Sequence, residues 1–204
     1  MFYRTYTFPK EEVISYAHEL IRISLLEYIT YIREYCTVSF IESQDIVQFS
    51  SFIDATRNIC SKLESCGDQG LSYLEIGKLL LDDGAPRNDM AYRKYGENHT
   101  KTAQELGLTQ MLYNVSYLTC IGKIFFDLTE NEQISLLRRL VLRNKYIMLL
   151  LIISQKENTT LKSQMGILSE STQKRRLSNV TKLWKFILSD GIEVTDVLSN
   201  VAIQ

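Results

Sequence analysis

The first part of the chain carries apolar residues at three- and four-residue steps, the spacing of one buried helix face. Pro9, followed by Glu11 and Glu12, is typical of a helix start, and no helix breaker occurs before about Cys36. The periodic apolar positions are Val13, Ala17, Leu20, Ile21, Leu25, Ile29 and Ile32. The pattern predicts one long N-terminal helix, used either for central packing or as a dimer contact.

Helix-start and helix-stop residues divide the next part of the chain. The pattern predicts a helix over 44–66 that Gly67 ends. Ser72 and Glu75 have the spacing of a capping box, so a further helix begins near Tyr73, in a unit that Gly84 closes. Two helices are therefore expected in this part of the chain.

A third helix in this region is predicted between Asn88, a capping residue, and Gly107, a helix-ending residue. Gly96 lies inside it and leaves a second possibility open, namely two shorter helices with Asn98 capping the second one. Its inward positions are Tyr92, Tyr95, His99, Ala103 and Leu106.

After Gly107 the chain is rich in β-branched and aromatic residues around turn signals. Residues 113–119 (YNVSYLT) and 123–128 (KIFFDL) have the composition of strands, with Asn114 and Gly122 near their ends. A helix pair followed by such a hairpin is the element order of a winged helix.

The second half repeats a helix-turn-helix order. Thr129 and Glu132 form a capping box that opens a helix to about Leu142, and residues 145–154 read as a buried helix. A polar break is followed by a short predicted helix over 160–167. The chain then continues into "LSESTQKRRLSNVTKLWKFI", residues 168–187, where Ser169 or Ser171 is placed to cap a longer helix and Glu170 suits its first turn.

On a helical wheel this last stretch has two distinct sides. Leu177, Val180, Leu183, Trp184 and Ile187 form the apolar side, with Arg176 at its margin. Lys174, Arg175, Ser178, Thr181, Lys182 and Lys185 form the other side. No acidic residue lies between Thr172 and Ser189, whereas solvated helix faces usually mix the two signs. The lysines and arginines are therefore candidates for contact with nucleic-acid phosphates, and the alternative is a solvated basic face without a ligand.

A second, weaker candidate surface lies on the helix that Asn88 caps. Arg93, Lys94 and Lys101 share its outer face with Glu97 and Glu105, so its charges are mixed. That mixture indicates structural use or a modest phosphate contact.

Composition limits the fold and the function classes. Only 9 Gly and 2 Pro occur among 204 residues, which favours long helices over a loop-rich all-β fold. The expected fold is mainly α with a small β-hairpin wing, divided into an N-terminal helical element (1–43), a winged-helix-like unit (44–128) and a second helix-turn-helix-like unit (129–204). The formal net charge is −1, so nucleic-acid binding requires a local basic patch; residues 156–190 carry seven cations and three carboxylates.

No catalytic or metal-binding motif emerges. The four cysteines (Cys36, Cys60, Cys66 and Cys120) form no C-x-x-C pair, and only two histidines, His18 and His99, are present. Phosphate-binding loops, dinucleotide fingerprints and nucleophile elbows are absent from the sequence, and "EIGK" at Glu75–Lys78 lacks the spacing of a metal-dependent nuclease. We therefore expect no enzyme activity, no metal and no cofactor. With no signal peptide and a longest apolar run of Tyr146–Ile153, a cytoplasmic protein without a membrane span is expected.

Two stretches carry a family resemblance. "YLTCIGKIFFDLT" resembles the wing of bacterial winged-helix domains at Leu118, Thr119, Gly122 and Phe125. Residues 168–187 look like the reading helix of helix-turn-helix modules associated with restriction-modification systems, at Leu168, Ser169, Ser171, Thr172, Arg175, Arg176 and Trp184. The resemblance implies tandem winged helices that bind duplex DNA. The residues after Gly191 are expected to supply one strand or a short helix rather than a full second wing.

The leading expectation is therefore non-catalytic binding of double-stranded DNA, by a regulator or by the recognition part of a restriction or defence system. Lys174, Arg175, Ser178, Thr181, Lys182 and Lys185 would carry the contact, with a smaller contribution from Arg93, Lys94 and Lys101. The rival expectation is a protein-interaction module of winged-helix fold that forms a homodimer or joins a larger complex.

Overall fold

The computed structural model describes residues 10–48, 53–81 and 83–203, and the elements below lie within those ranges. The helices are α1 (Lys10–Arg22), α2 (Leu25–Tyr35), α3 (Ile53–Cys66), α4 (Tyr73–Leu80), α5 (Asp89–Glu105), α6 (Cys120–Asp127), α7 (Glu130–Leu142), α8 (Lys145–Ser154), α9 (Glu170–Leu188) and α10 (Ile192–Val197). The strands are β1 (Leu71–Ser72), β2 (Thr109–Leu112), β3 (Val115–Leu118), β4 (Thr159–Thr160) and β5 (Val201–Ala202). The protein is mainly α with a small antiparallel sheet, as the sequence predicts.

The long N-terminal helix of the prediction is in fact two helices, α1 and α2. Ser24 caps α2: its Oγ accepts from the Glu27 backbone N–H at 3.1 Å, and the Glu27 carboxylate accepts from the Ser24 N–H at 2.9 Å. The Arg139 guanidinium donates to the carbonyl oxygen of Ile23, which the break leaves without a helical partner. The expectation of one unbroken helix was wrong, because a local capping box interrupts a continuous apolar stripe.

α1 and α2 pack on the second half of the chain as well as the first. α1 contacts α6 and α7, while α2 contacts α7, α8 and α10. Leu20, Leu25, Ile29 and Ile32 of these helices are buried in a hydrophobic cluster that continues to Val201. The N-terminal helices therefore belong to the same core as the rest of the described chain. The side chain of Val13, a predicted core position, lies outside the described residues.

Residues 53–118 contain, in chain order, α3, β1, α4, α5, β2 and β3. The three strands make an antiparallel sheet in the order β1-β3-β2, in which Leu71 pairs with Ser116 and Thr109 pairs with Leu118. The predicted start of the first of these helices was too early, since α3 begins at Ile53 and residues 43–46 form a turn. Residues 49–52 lie outside the ranges that the structure describes.

Two glycines allow α4 and α5 to touch along their backbones. A Cβ added to Gly96 would lie 2.0 Å from the carbonyl oxygen of Tyr73, and one added to Gly77 would lie 1.9 Å from that of Tyr92. Such distances are far below van der Waals contact. α5 is accordingly a single helix, capped by Asn88 as predicted, and the alternative of two short helices is not observed.

Of residues 123–128, predicted as a strand, residues 123–127 belong to helix α6 instead, and Leu128 is its C-cap. The Thr119 hydroxyl accepts from the Gly122 N–H at 3.0 Å and starts the helix directly after β3. Ile124 and Phe125 are both buried, an adjacency that a strand with one solvent face does not allow. The hairpin partner of β3 is β2, so the hairpin lies earlier in the chain than predicted.

The second half of the chain follows the prediction in three elements and departs from it in one. α7 is opened by the Thr129–Glu132 capping box, α8 is largely buried, and α9 begins after Ser169. The short helix expected over 160–167 is a series of turns, preceded by β4. After α9 the chain forms α10 and β5, and β5 pairs in parallel with β4.

Candidate nucleic-acid interface

Helix α9 is held to the protein by an apolar stripe. Val180, Leu183, Trp184 and Ile187 are at most 4% exposed, and the helix packs against α7 and α10. Their three- and four-residue spacing places one side of the helix in the core and leaves the opposite side to solvent. The sequence prediction of this apolar side therefore agrees with the burial of its residues, except that Leu177 is only partly buried.

Arg176 lies with the buried stripe rather than with the other basic residues of α9. It is 8% exposed, and its Nη1 atom donates to the carbonyl oxygens of Ser43 and Ile46, the latter at 2.9 Å. Burial lowers the pKa of Arg176, and the nearby Arg175 acts in the same direction. Asn179 also donates to the backbone, at the carbonyl oxygen of Gln48, 2.7 Å away. These contacts fasten α9 to the segment that follows α2.

The C-terminal end of α9 is fastened by Arg138 of α7. Its guanidinium forms an ion pair with Asp190 at 2.5 Å and donates to the Phe186 carbonyl oxygen at 3.2 Å. The same group lies over the Phe186 ring, 5.2 Å from its centroid. The carboxylate that follows α9 is thereby engaged with a cation of another helix.

The opposite side of α9 carries Lys174, Arg175, Ser178, Lys182 and Lys185, which we name the α9 cationic face. All five residues are exposed, whereas Thr181, also predicted for this side, is partly buried. No carboxylate of the described ranges lies within 4 Å of these four cations. The positive charge of this face is therefore neither covered nor paired by the described parts of the molecule.

The second predicted surface, on α5, is largely neutralised. Glu97 accepts from Lys94 at 3.1 Å and from Lys101 at 2.6 Å. These hydrogen bonds, the one from Lys101 first, lower the pKa of Glu97, so the carboxylate is ionised at neutral pH. Arg93 is exposed. The hairpin β2–β3 that follows α5 contains no lysine or arginine, so this region has little net positive charge to offer a phosphate backbone.

Glu105, at the C-terminal end of α5, borders a narrow crevice with Leu106, Val141 and Leu183. Loss of hydration there raises the pKa of its carboxyl to about 7, against smaller opposing effects of Arg176 and Lys101. The crevice is about 10 Å³ in volume, close to the space of one water molecule, so it offers no room for a small-molecule substrate.

The remaining chemistry is sparse. Cys60 is buried, which raises the pKa of its thiol to about 12 and keeps it protonated, while Cys120 is exposed at the start of α6. Within the described ranges, no group of three or more His, Cys, Asp or Glu side chains is arranged to hold a metal ion.

Comparisons with protein-family models, with curated proteins and with solved structures found no match. Across the part of the chain that the structure describes, no helix combines the length and the apolar character needed to cross a membrane.

Proposed function

We propose that the protein binds double-stranded DNA, without catalysis, through the α9 cationic face. The observation that carries this proposal is the exposure of four cations on one side of a helix whose other side is anchored in the core. An anchored helix loses little conformational freedom on binding, and unpaired cations release counterions from the phosphate backbone. Both effects favour association with a polyanion.

The element order of residues 53–118 supports the fold part of the proposal. Helix, strand, two helices and a hairpin, with a sheet in the order β1-β3-β2, is the arrangement expected of a winged helix. In this proposal α5 is the second helix of the helix-turn-helix, and the hairpin β2–β3 is the wing. Because Glu97 neutralises Lys94 and Lys101, we expect this unit to contribute to the protein scaffold more than to the contact with phosphates.

A second helix-turn-helix is proposed from α8, the turns after β4, and α9. In the described part of the chain no hairpin follows α9, because β5 pairs in parallel with β4, which precedes α9. In this proposal α9 itself provides the contact with DNA. We propose that the protein acts in the cytoplasm, as a DNA-binding regulator or as the recognition part of a restriction or defence system.

The test is fluorescence anisotropy of labelled duplexes at low salt. The double variant Lys182→Glu/Lys185→Glu should weaken binding to every duplex, while the control Lys62→Glu/Lys123→Glu, at exposed lysines outside residues 156–190, makes the same change in net charge and should retain binding. With four cations on phosphates, log K should fall with log salt at a slope of about −3 to −4. Equal affinities of the two double variants would refute the assignment.

A protein-interaction role is the second candidate, and one observation favours it. Tyr31 and Tyr35 of α2 are 54% and 70% exposed, with ring centroids 5.2 Å apart, and such exposed aromatic pairs are common at protein interfaces. Light scattering behind a sizing column would reveal a dimer, and Tyr31→Ser/Tyr35→Ser should then dissociate it. A monomer at all concentrations that binds duplex DNA would exclude a homodimer as the main role.

A further inference from the structure

The solvent side of α2 combines aromatic rings with carboxylates. Five residues of this helix are exposed, and we name them the α2 face: Glu27, Thr30, Tyr31, Glu34 and Tyr35. Glu27 and Glu34 are seven residues apart and lie within about 20° of one line along the helix. Tyr31 and Tyr35 lie to one side of that line, with ring centroids 5.2 Å apart. Among the described residues, no lysine or arginine nitrogen lies within 4 Å of either carboxylate.

The sequence around α2 is as acidic as the sequence around α9 is basic. Residues 10–45 carry seven carboxylates and three cations, whereas residues 156–190 carry seven cations and three carboxylates. Arg33, one of the three cations, donates to the carbonyl oxygens of Leu151 at 3.2 Å and Val197 at 3.1 Å, so it is engaged within the protein. Because oppositely charged surfaces attract during diffusional encounter, two copies of this chain attract each other through these two regions.

The charges of the two helices have the same spacing. Arg175 and Lys182 of the α9 cationic face are both exposed and lie seven residues apart, as Glu27 and Glu34 do. At about 1.5 Å per residue, each pair spans about 10 Å and forms one line along its helix. We name these the cation line of α9 and the carboxylate line of α2. An α9 helix placed beside α2 with one cation at one carboxylate therefore brings the second cation to the second carboxylate.

The neighbouring residues decide between a parallel and an antiparallel alignment. Tyr31 lies about 50° from the carboxylate line, and Ser178 lies about 50° from the cation line in the opposite sense of rotation. When two helices face each other and run parallel, opposite senses of rotation fall on the same side, so the short Ser178 side chain lies opposite the Tyr31 ring. Lys185 then lies beside Tyr35, and an ammonium group is attracted to the face of an aromatic ring. An antiparallel alignment places the tyrosines and these α9 residues on opposite sides.

The area of such a contact is small. A helix face about 16 Å long and 10–12 Å wide has a footprint of about 200 Å², well under the roughly 800 Å² per partner of a standard stable interface. Attraction between exposed charges is screened by salt. The association is therefore weak and reversible, and it is strongest at low ionic strength.

We infer that the α2 face of one copy of this protein binds the α9 cationic face of a second copy, with the two helices parallel and the cation line on the carboxylate line. A second copy is the partner that the charges favour, because the same chain carries the complementary cations at the matching spacing. The contact covers the residues to which we assign DNA binding, so duplex DNA and a second copy compete for α9. Only this competition rests on the proposed function.

The contact is tested by sedimentation velocity at low salt with variants of each face. Glu27→Gln/Glu34→Gln alters the α2 face and keeps the capping box, since glutamine also fits it. Arg175→Gln/Lys182→Gln alters the α9 cationic face. The wild-type protein should associate as its concentration rises, and each double variant alone should associate at least about fivefold more weakly. An equimolar mixture of the two variants retains one intact contact and should again form a complex, with one copy of each.

The control is Glu64→Gln/Asp127→Asn, at exposed carboxylates outside α2. It changes the net charge as Glu27→Gln/Glu34→Gln does and should associate as the wild type does. Equal association of the control and the α2 variant would overturn the inference. So would a mixture that sediments no faster than its two components, or a wild-type protein that stays monomeric at all concentrations.

The parallel alignment is tested with two charge-reversed variants of equal net charge. Glu34→Lys/Lys182→Glu exchanges the partners of one ion pair and should associate as the wild type does, within about twofold. Glu34→Lys/Arg175→Glu leaves like charges opposite each other in both pairs and should lose association. The reverse order of the two variants would show antiparallel helices and overturn the assignment.

Competition is tested by adding a plain duplex to the associated wild-type protein at low salt, which should release the second copy. Association that persists with duplex bound would refute DNA binding at α9 but leave the contact between copies intact. The failure of the proposed function is thereby distinguishable from the failure of this inference.

Discussion

Arg176 Nη1 lies 2.9 Å from the carbonyl oxygen of Ile46, so one of three consecutive basic residues of α9 points into the protein. Its neighbours Lys174 and Arg175 are exposed. The same stretch of positive charge therefore serves two purposes: Arg176 fixes the helix in place, and the others are left for a ligand.

This division predicts opposite phenotypes for adjacent arginines. Arg176→Met removes the donor to two backbone carbonyls, one of them buried, and should lower the free energy of unfolding by about 2–3 kcal/mol. Arg175→Met, at an exposed site, should change it by no more than about 0.5 kcal/mol and should instead weaken DNA binding. Urea denaturation and anisotropy on both variants separate the two roles; equal unfolding midpoints would contradict them.

The contact between α4 and α5 predicts a strong intolerance of side chains at Gly96. Gly96→Ala places a methyl group 2.0 Å from the Tyr73 carbonyl oxygen, and backbone on both sides prevents an easy adjustment. We expect a loss of about 3 kcal/mol or more in stability. Gly166→Ala is the control, because nothing lies within 4 Å of its added Cβ, and thermal unfolding should detect little change. Similar melting temperatures for the two variants would show that the helices do not touch there.

The hairpin turn between β2 and β3 predicts a stabilising double variant. Tyr113 and Asn114 both have positive φ, 50° and 66°, the geometry of a type I′ turn, and Tyr113 is 99% exposed. Tyr113→Asn/Asn114→Gly should raise stability by about 1 kcal/mol, because Asn-Gly adopts this turn with less strain and no buried contact is lost. Tyr113→Ala removes the ring without relieving the backbone and should leave stability unchanged within about 0.5 kcal/mol. A destabilised Asn-Gly variant would mean that the tyrosine ring makes a contact in solution.

Glu105 predicts a pH dependence of stability. Its pKa is raised from 4.5 to about 7, so between those values the folded protein holds a proton that the unfolded chain releases. The contribution of this group to stability is therefore complete below about pH 4.5, declines as the pH rises to about 7, and stays lost above it. Glu105→Gln should be more stable than wild type at about pH 8, with no difference near pH 4.5.

Although its carboxyl loses hydration at the crevice, Glu105 as a whole residue is exposed to solvent. Solvent screens the charge, so the change in stability with pH should be modest. The matched control is Glu157→Gln, which changes an exposed carboxyl in the loop after α8. Urea denaturation at about pH 4.5, 6 and 8 provides the measurement. A difference between Glu105→Gln and wild type that does not vary with pH would show that the crevice leaves this carboxyl fully hydrated.

Helix starts were predictable because their determinants lie within three residues of one another. The capping boxes Ser72–Glu75 and Thr129–Glu132 form as the spacing predicts, and Asn88 caps α5. The same local signal was present at Ser24 and Glu27, but the continuous apolar stripe across it favoured one helix. The cause of that error is a competition between a local cap and a periodic pattern.

Residues 123–128 show that the local sequence pattern does not always determine secondary structure. Their aromatic and β-branched content favours a strand, but β3 already pairs on one side with β1 and on the other with β2. Gly122 packs against the Leu108 carbonyl oxygen, where an added Cβ would lie at 2.0 Å, and Phe125 enters the core. Packing against distant elements thus outweighs the intrinsic preference of the segment.

The sequence alone determined the helical class, most helix starts and the two-sided character of α9, because periodicity and capping are local properties of the chain. Tertiary structure alone decided that Arg176, which the helical wheel placed at the margin of the apolar side, is buried, and which groups it contacts. The guanidinium of Arg176 donates to the carbonyl oxygens of Ser43 and Ile46, which lie 133 and 130 positions earlier in the chain, and no local pattern shows such a contact. Whether a charge is available to a ligand depends on its neighbours in space, which the order of residues does not state.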